Sequence, residues 1–174
     1  DIALRFNHIY GDVFTIPEAY YGKSGARIMS LQDASKKMSK SDENPNASIY
    51  LLDAPEVIMR KFKRAVTDSD TKIIYTEQKP EIKNLLDIYM ATTGIGEQEA
   101  VASFEGKGYA KLKEEVGEAV VACLEPIQKR HSDLIKNKDY LDGVIKSNAE
   151  KANYYAAKTL RKVQKKVGFP VRVR

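Results

Sequence analysis

The 174-residue sequence holds one cysteine, Cys123, and two histidines, His8 and His131. A single thiol excludes an internal disulfide, and no Cys/His group has the spacing of a zinc site, so a reducing intracellular home and no protein-held metal are expected. The sequence also lacks any apolar run near the roughly 20 residues that span a bilayer, and any signal peptide, so a soluble, cytoplasmic protein without membrane contact is expected. No internal repeat or low-complexity linker breaks the chain. Neither sign of charge dominates: 29 Lys and Arg against 24 Asp and Glu leave +5. Affinity for a polyanion must therefore come from where the cations sit, not from their number. What the chain does have is 43% apolar residues, enough for a sizeable core at this length. It begins at Asp1, without methionine and inside a helical pattern, as a piece of a longer protein would.

The hydrophobic periodicity organises the chain as a small α/β piece followed by a helix bundle. Ile2, Phe6, Ile9 and Tyr10 share one helical face, stopped at Gly11. "DVFTIPEAYY" and "ARIMSL" read as short extended segments joined through Gly22 and Gly25, the last strand-loop units of a sheet. From Ile49 to Asp53 onward the pattern becomes helical. Asp53 with Glu56 forms a capping box for a helix over about Ala54 to Arg64, with Val57, Ile58, Phe62 and Ala65 inward. "TKIIYT" is strand-like. Ile82, Leu85, Leu86, Tyr89 and Met90 stripe the next helix, ended by Gly94, and a shorter one covers Glu97 to Phe104. A long helical pattern runs from Tyr109 to Leu134, with Cys123 on its inward face and a bend at Pro126. Asp139 opens a short helix, and a second capping box, Ser147 with Glu150, opens a last one that Gly168 closes.

Most candidate chemical motifs fail. "GKS" at Gly22 to Ser24 lacks the upstream glycine of a P-loop, with Pro17 in its place, and "TGIGEQE" follows a helix and has Glu99 where a dinucleotide fingerprint needs glycine. His8, His131 and Cys123 fall on or beside apolar faces, where packing explains them, and no nucleophile-base-acid set emerges. The exception is "KKMSKS". Lys37 and Lys40 stand three apart with Ser39 and Ser41 interleaved, so in a turn both ammonium groups can meet one anion while hydroxyls and backbone N–H groups donate to it. Each charge-assisted bond contributes about 1.5–3 kcal/mol where water is excluded and close to nothing in a solvated loop. Spacing alone leaves a phosphate cradle and a basic surface loop side by side. The same holds for the terminal run Lys158, Arg161, Lys162, Lys165, Lys166, Arg172 and Arg174, which is either an RNA-phosphate surface or a solubilising helix face.

Lys37-Met38-Ser39-Lys40-Ser41 matches letter for letter the second signature of class I aminoacyl-tRNA synthetases. With "GARIMSLQD", "SDENP", "LLDAPEVI", "KFKRAVTDSD", "NLLDIYMATTG" and "AEKANYYAAKTLRKVQKKVG", the chain resembles the C-terminal half of bacterial tryptophanyl-tRNA synthetases over essentially its whole length. The "GARIMSL" lead-in and "AVTDS" fit that family better than its tyrosyl sister.

The resemblance implies a mainly α fold: residues 1–50 as the C-terminal remnant of a Rossmann-like catalytic domain, and 51–174 as a helical anticodon-binding domain with a basic last helix. It implies activation of L-tryptophan by ATP with Mg2+ and transfer to tRNA(Trp), in an enzyme that is a homodimer when intact. Lys37 and Lys40 would meet the phosphates as the catalytic pair, Ile28 and Met38 would lie near adenine, and Ser39 and Ser41 would support the phosphate contacts. Lys158, Arg161, Lys162, Lys165 and Lys166 would hold tRNA. The family's histidine-glycine signature, its tryptophan pocket and its acidic glycine motif have no counterpart in this sequence, so the chain by itself is expected to be inactive. A free-standing RNA-binding module and a protein-interaction bundle are the competing readings, and the intact lysine-serine signature speaks against both.

Overall fold

A computed structural model describes residues 1–21 and 27–170. The rejected glycine motif at Gly22, Lys23 and Ser24, the joint at Gly25, the start of the second extended segment at Ala26, and the cations Arg172 and Arg174 lie outside the described residues. Within them the chain is mainly helical: α1 (Ile2–Tyr10), α2 (Pro55–Lys63), α3 (Pro80–Thr93), α4 (Glu97–Ser103), α5 (Tyr109–Ile135) and α6 (Lys138–Val167). Packing divides the chain into two units, one of Asp1–Tyr20 with Asp133–Arg174 and one of Tyr21–Ser132.

In the first unit, α1 ends as expected, with the Gly11 N–H bonded to the Asn7 carbonyl. The following segment is not a strand, because its backbone bonds go to a side chain. Asn7 Oδ1 accepts the Val13 and Phe14 N–H groups at 3.1 and 3.0 Å, and Asn7 Nδ2 donates to the Phe14 carbonyl at 2.7 Å. This folds Phe14 back onto Phe6, ring centroids 5.1 Å apart. The two expected C-terminal helices are one continuous α6, capped by Asn137, whose side chain accepts the Tyr140 N–H. Ser147 is an interior residue of that helix. Its periodicity carries across residue 147, so the second capping box has no helix end to cap.

The second unit carries the core: Ile58 and Phe62 from α2, Ile82, Leu85 and Leu86 from α3, and Leu112 and Val116 from α5. Each such side chain contributes about 1.5–3 kcal/mol of burial. Helix α2 lies where expected, but its N-cap is Ala54, and the Asp53 carboxylate is taken by Lys61 instead. Helices α3 and α4 match their patterns, and Gly94 ends α3 at φ +79°, a left-handed position that suits only glycine well. "TKIIYT" forms no ladder among the described residues. Ile73 and Tyr75 pack on the core while Ile74 faces out, so the alternation was real and the sheet was not.

Helix α5 departs from its pattern at Cys123, which is exposed rather than inward. Its covered residues are Leu112, Val116, Val120 and Leu124, continued by Gln128, which donates to the Leu51 and Asp53 carbonyls at 2.9 Å each. A stripe spaced by four winds about 40° per step around a helix of 3.6 residues per turn, so by Leu124 it has left the face of Leu112 on which Cys123 sits. Gly117 allows the close approach to α2: a Cβ there would stand 2.8 Å from Met59 Sδ.

Candidate functional site

The lysine-serine loop is held by residues on both sides of it. Ile28 to Met38 folds into a short antiparallel turn, with the Met38 N–H on the Ile28 carbonyl at 3.0 Å, the Ser30 N–H on the Lys36 carbonyl at 2.8 Å, and Met29 bridged to Lys37. That bridge is all that the expected strand "ARIMSL" forms among the described residues. The turn is docked on the core: the Leu31 N–H bonds the Ala47 carbonyl and the Val66 N–H bonds the Leu31 carbonyl. Ile28 and Met38 are half-buried and pack against the core cluster.

Geometry separates three lysines that look alike in sequence. Lys36 is committed, with Nζ 3.1 Å from Asp33 Oδ2, and the Ser35 hydroxyl and then Lys36 hold the Asp33 carboxyl below its ordinary value. Lys37 and Lys40 are exposed, and among the described residues no carboxylate pairs with either. Lys37 sits in the bridge. Lys40 and Ser41 occupy the centre of a turn closed by the Asp42 N–H on the Ser39 carbonyl at 3.2 Å. The Ser39 and Ser41 hydroxyls are 3.0 Å apart, and the Ser41 N–H points at Ser39 Oγ. Two exposed cations, two hydroxyls and a tight turn are thus presented together.

The C-terminal flank of the loop rests on a buried ion pair. Ser48 Oγ donates to the Ser39 carbonyl at 2.7 Å and the Tyr50 hydroxyl to the Lys40 carbonyl at 3.4 Å. Behind them Lys61, 4% exposed, donates to the Ser48 carbonyl at 2.9 Å and to Asp53 Oδ2 at 2.6 Å, with its ammonium 4.5 Å from the Tyr50 ring centroid. Asp53 Oδ2 also accepts the Tyr50 N–H. Farther along, Lys79 joins Asp68, Asp70 and Tyr109 in a network that ties the 66–72 segment to α3 and α5. Nearby, burial and the bonded Asp87 carboxylate push the Tyr75 hydroxyl up to about 12.

Residues 1–125 match the family model described as tRNA synthetases class I (W and Y). The chain belongs to this family. Synthetase relatives named tryptophan–tRNA ligase are 52% identical in Clostridium perfringens and 48% in Halalkalibacterium halodurans, over 97% of this chain and 51% of each relative. A crystal structure of tryptophanyl-tRNA synthetase from Mycoplasma pneumoniae superposes with a TM-score of 0.88 at 29% identity, again over 97% of this chain and 51% of that one. The chain spans about half the length of the curated synthetase relatives it matches.

For a synthetase chain the second feature of interest is α6. Lys158, Arg161, Lys162, Lys165 and Lys166 are all exposed, and their spacing of three and four residues places them on one side of the helix. The stripe ends where the Gly168 and Phe169 N–H groups close the helix on the Lys165 and Gln164 carbonyls.

Sequence reasoning missed the supports of the synthetase signature: Ser48, Tyr50, Lys61 and Asn84. Asn84 was the one with a signal, a polar residue between Ile82 and Leu85 in a helix with apolar residues on more than one face. Among the described residues no group of three or more His, Cys, Asp or Glu side chains is placed to hold a metal ion. No helix among them is long and apolar enough to cross a membrane.

Proposed function

We propose that this chain supplies the KMSKS-bearing half of a cytoplasmic tryptophan–tRNA ligase. In this reading 1–50 completes the catalytic domain and 51–174 forms the helical anticodon-binding domain of an enzyme that is dimeric when intact. The observation that carries it is the pair Lys37 and Lys40, exposed and without carboxylate partners among the described residues, in a loop braced on both flanks. The 52% identity to a tryptophan–tRNA ligase over nearly all of the chain supports the same reading.

In the reaction the tryptophan carboxylate attacks the α-phosphorus of ATP, the bond to the bridging oxygen breaks, and pyrophosphate leaves with added negative charge. Lys37 and Lys40 stabilise that charge, and an ammonium that meets it better in the transition state than in the ground state lowers the barrier. Ser39 and Ser41 donate to the phosphates, and the exposed parts of Ile28 and Met38 meet adenine. Mg2+ would be carried by the phosphates, which it would partly neutralise. Adenylyl transfer needs no protein nucleophile, so no triad is required. A ribose hydroxyl of the 3′-terminal nucleotide of tRNA(Trp) then attacks the tryptophanyl carbonyl, the mixed-anhydride bond breaks and AMP leaves, with the α6 stripe binding RNA phosphates.

Tryptophan-dependent ATP–pyrophosphate exchange tests the proposal. The chain alone gives none. Supplying the preceding half of a ligase of this family restores exchange, and Lys37→Ala or Lys40→Ala lowers it on the order of 10²-fold. Exchange by the chain alone would sink the claim of an incomplete site, and undiminished exchange in both lysine variants would remove their role.

A further inference from the structure

Asn84 of α3 is 3% exposed, and both ends of its carboxamide bond the backbone of one loop residue. Oδ1 accepts the Met29 N–H at 2.8 Å and Nδ2 donates to the Met29 carbonyl at 2.9 Å, across 55 positions of sequence. Met29 is the residue bridged to Lys37. The ladder bonds on that side are made by their neighbours, Met38 to Ile28 and Ser30 to Lys36, so Met29 and Lys37 form a non-hydrogen-bonded pair. In such a pair the N–H and C=O of Met29 point away from Lys37, to where a third strand would stand. Asn84 occupies that place and satisfies both groups.

This arrangement ties one side of the bridge to α3. A one-residue slip of a strand turns every side chain to the opposite face, and two short segments with one bridge have little of their own to prevent it. A carboxamide anchored on a core helix, bonded to both the N–H and the C=O of one residue, holds that residue's backbone in place and keeps its polar groups turned away from the partner segment. In the observed register that residue is Met29, and Lys37 then lies opposite it.

We propose that Asn84 is a positioning residue for Lys37: it fixes the bridge register through Met29 and so decides the face on which the Lys37 ammonium is presented. The proposal rests on the reading of Lys37 as a phosphate-binding lysine. Asn84 itself touches no substrate.

The test is a double-mutant cycle in this chain combined with the preceding ligase half, read by ATP–pyrophosphate exchange. Asn84→Asp keeps the size and the acceptor but turns an oxygen toward the Met29 carbonyl. It lowers exchange on the order of 10²-fold when Lys37 is present, the scale of an ångström-sized misplacement. In a Lys37→Ala background the same substitution costs less than about 2-fold, because coupled residues are not additive. A purely structural role would cost the same in both backgrounds, and that result overturns the proposal, as does full activity of Asn84→Asp. If Asn84→Asp fails to fold, Asn84→Ser, whose shorter side chain stops short of Met29, is judged by the same criterion.

A second measurement separates this proposal from the ligase reading. Amide hydrogen exchange on the 174-residue chain shows the Ser30 and Met38 N–H groups losing protection in the Asn84 variant while α5 amides keep theirs. Unchanged protection overturns the register argument. Absence of exchange activity in the unmutated combination counts against the ligase reading, and the amide data then decide whether Asn84 holds the register.

Discussion

Replacing Lys61 by methionine removes a buried ammonium while keeping most of the apolar volume of its stem. Two groups lose their partner: the Ser48 carbonyl, 2.9 Å from Nζ, and Asp53 Oδ2, 2.6 Å away. Removing one member of a buried ion pair costs about 3–5 kcal/mol, because the charge left behind is poorly solvated. The lower end applies, since the Asp53 side chain keeps 14% of its surface in water and still accepts the Tyr50 N–H. A loss of about 3 kcal/mol corresponds to a fall in Tm of about 6–12 °C in a chain of this size. Urea denaturation followed by circular dichroism measures it without the screening that guanidinium would add. Adding Asp53→Asn to Lys61→Met removes the stranded charge and recovers at least about 1 kcal/mol, since much of the cost belongs to that charge. A loss below about 1 kcal/mol for Lys61→Met, or no recovery in the pair, would refute the account of this site as a buried pair bracing the loop.

Further expectations follow from single features. Gly94→Ala destabilises by about 1–2 kcal/mol through backbone strain alone, since φ is +79° and a Cβ meets nothing within 4 Å; an unchanged urea midpoint would contradict that conformation. Burial pushes the Asp68 carboxyl up, but the Tyr109 hydroxyl, the Asp70 N–H and the Lys79 ammonium outweigh it and hold it below its ordinary value; Asp70 is held low chiefly by Lys79. The stability these carboxylates add is present above the ordinary carboxylate value of about 3.9 and lost as pH falls through their lowered values. Lys79, raised chiefly by Asp70, adds stability that is lost only as pH rises above the ordinary lysine range. Lys79→Met therefore flattens the acid limb of urea midpoint against pH, and an unaltered limb would exclude the network from acid stability. Cys123, being exposed, reacts with a thiol reagent in the folded chain at nearly the rate of the unfolded one; slow labelling until denaturation would place it inside. Lys162→Glu with Lys166→Glu weakens tRNA binding and flattens its dependence on salt, and unchanged binding would reduce the α6 stripe to a solvated surface.

The positions of α1 to α4, the stop at Gly94 and the run of basic residues along α6 were legible because they depend on local rules: apolar spacing, a helix start or stop, and charge along one stretch of chain. The signature Lys37 to Ser41 was legible as a family resemblance, but its spacing could not tell which lysines were free. That depended on Asp33 capturing Lys36, a short-range contact set by a turn. Two local signals were overridden: Asp53 left its capping role for Lys61, and Ser147 was absorbed into α6. The strand-like segments gave no sign in the sequence that they would lack ladders, because a strand's partner lies elsewhere in the chain. Here Asn7 and Asn84 side chains took the place of partner strands. Cys123 shows the same limit from the other side, since periodicity gave its angle around α5 while the drift of the covered stripe decided what lay above it. The sequence by itself determined which residues could form helices and where lysines and hydroxyls stand together, since those are properties of neighbours along the chain. Only the tertiary structure decided which polar groups brace the loop and in what register, because Lys61 and Asn84 act across distances of sequence that no local pattern spans.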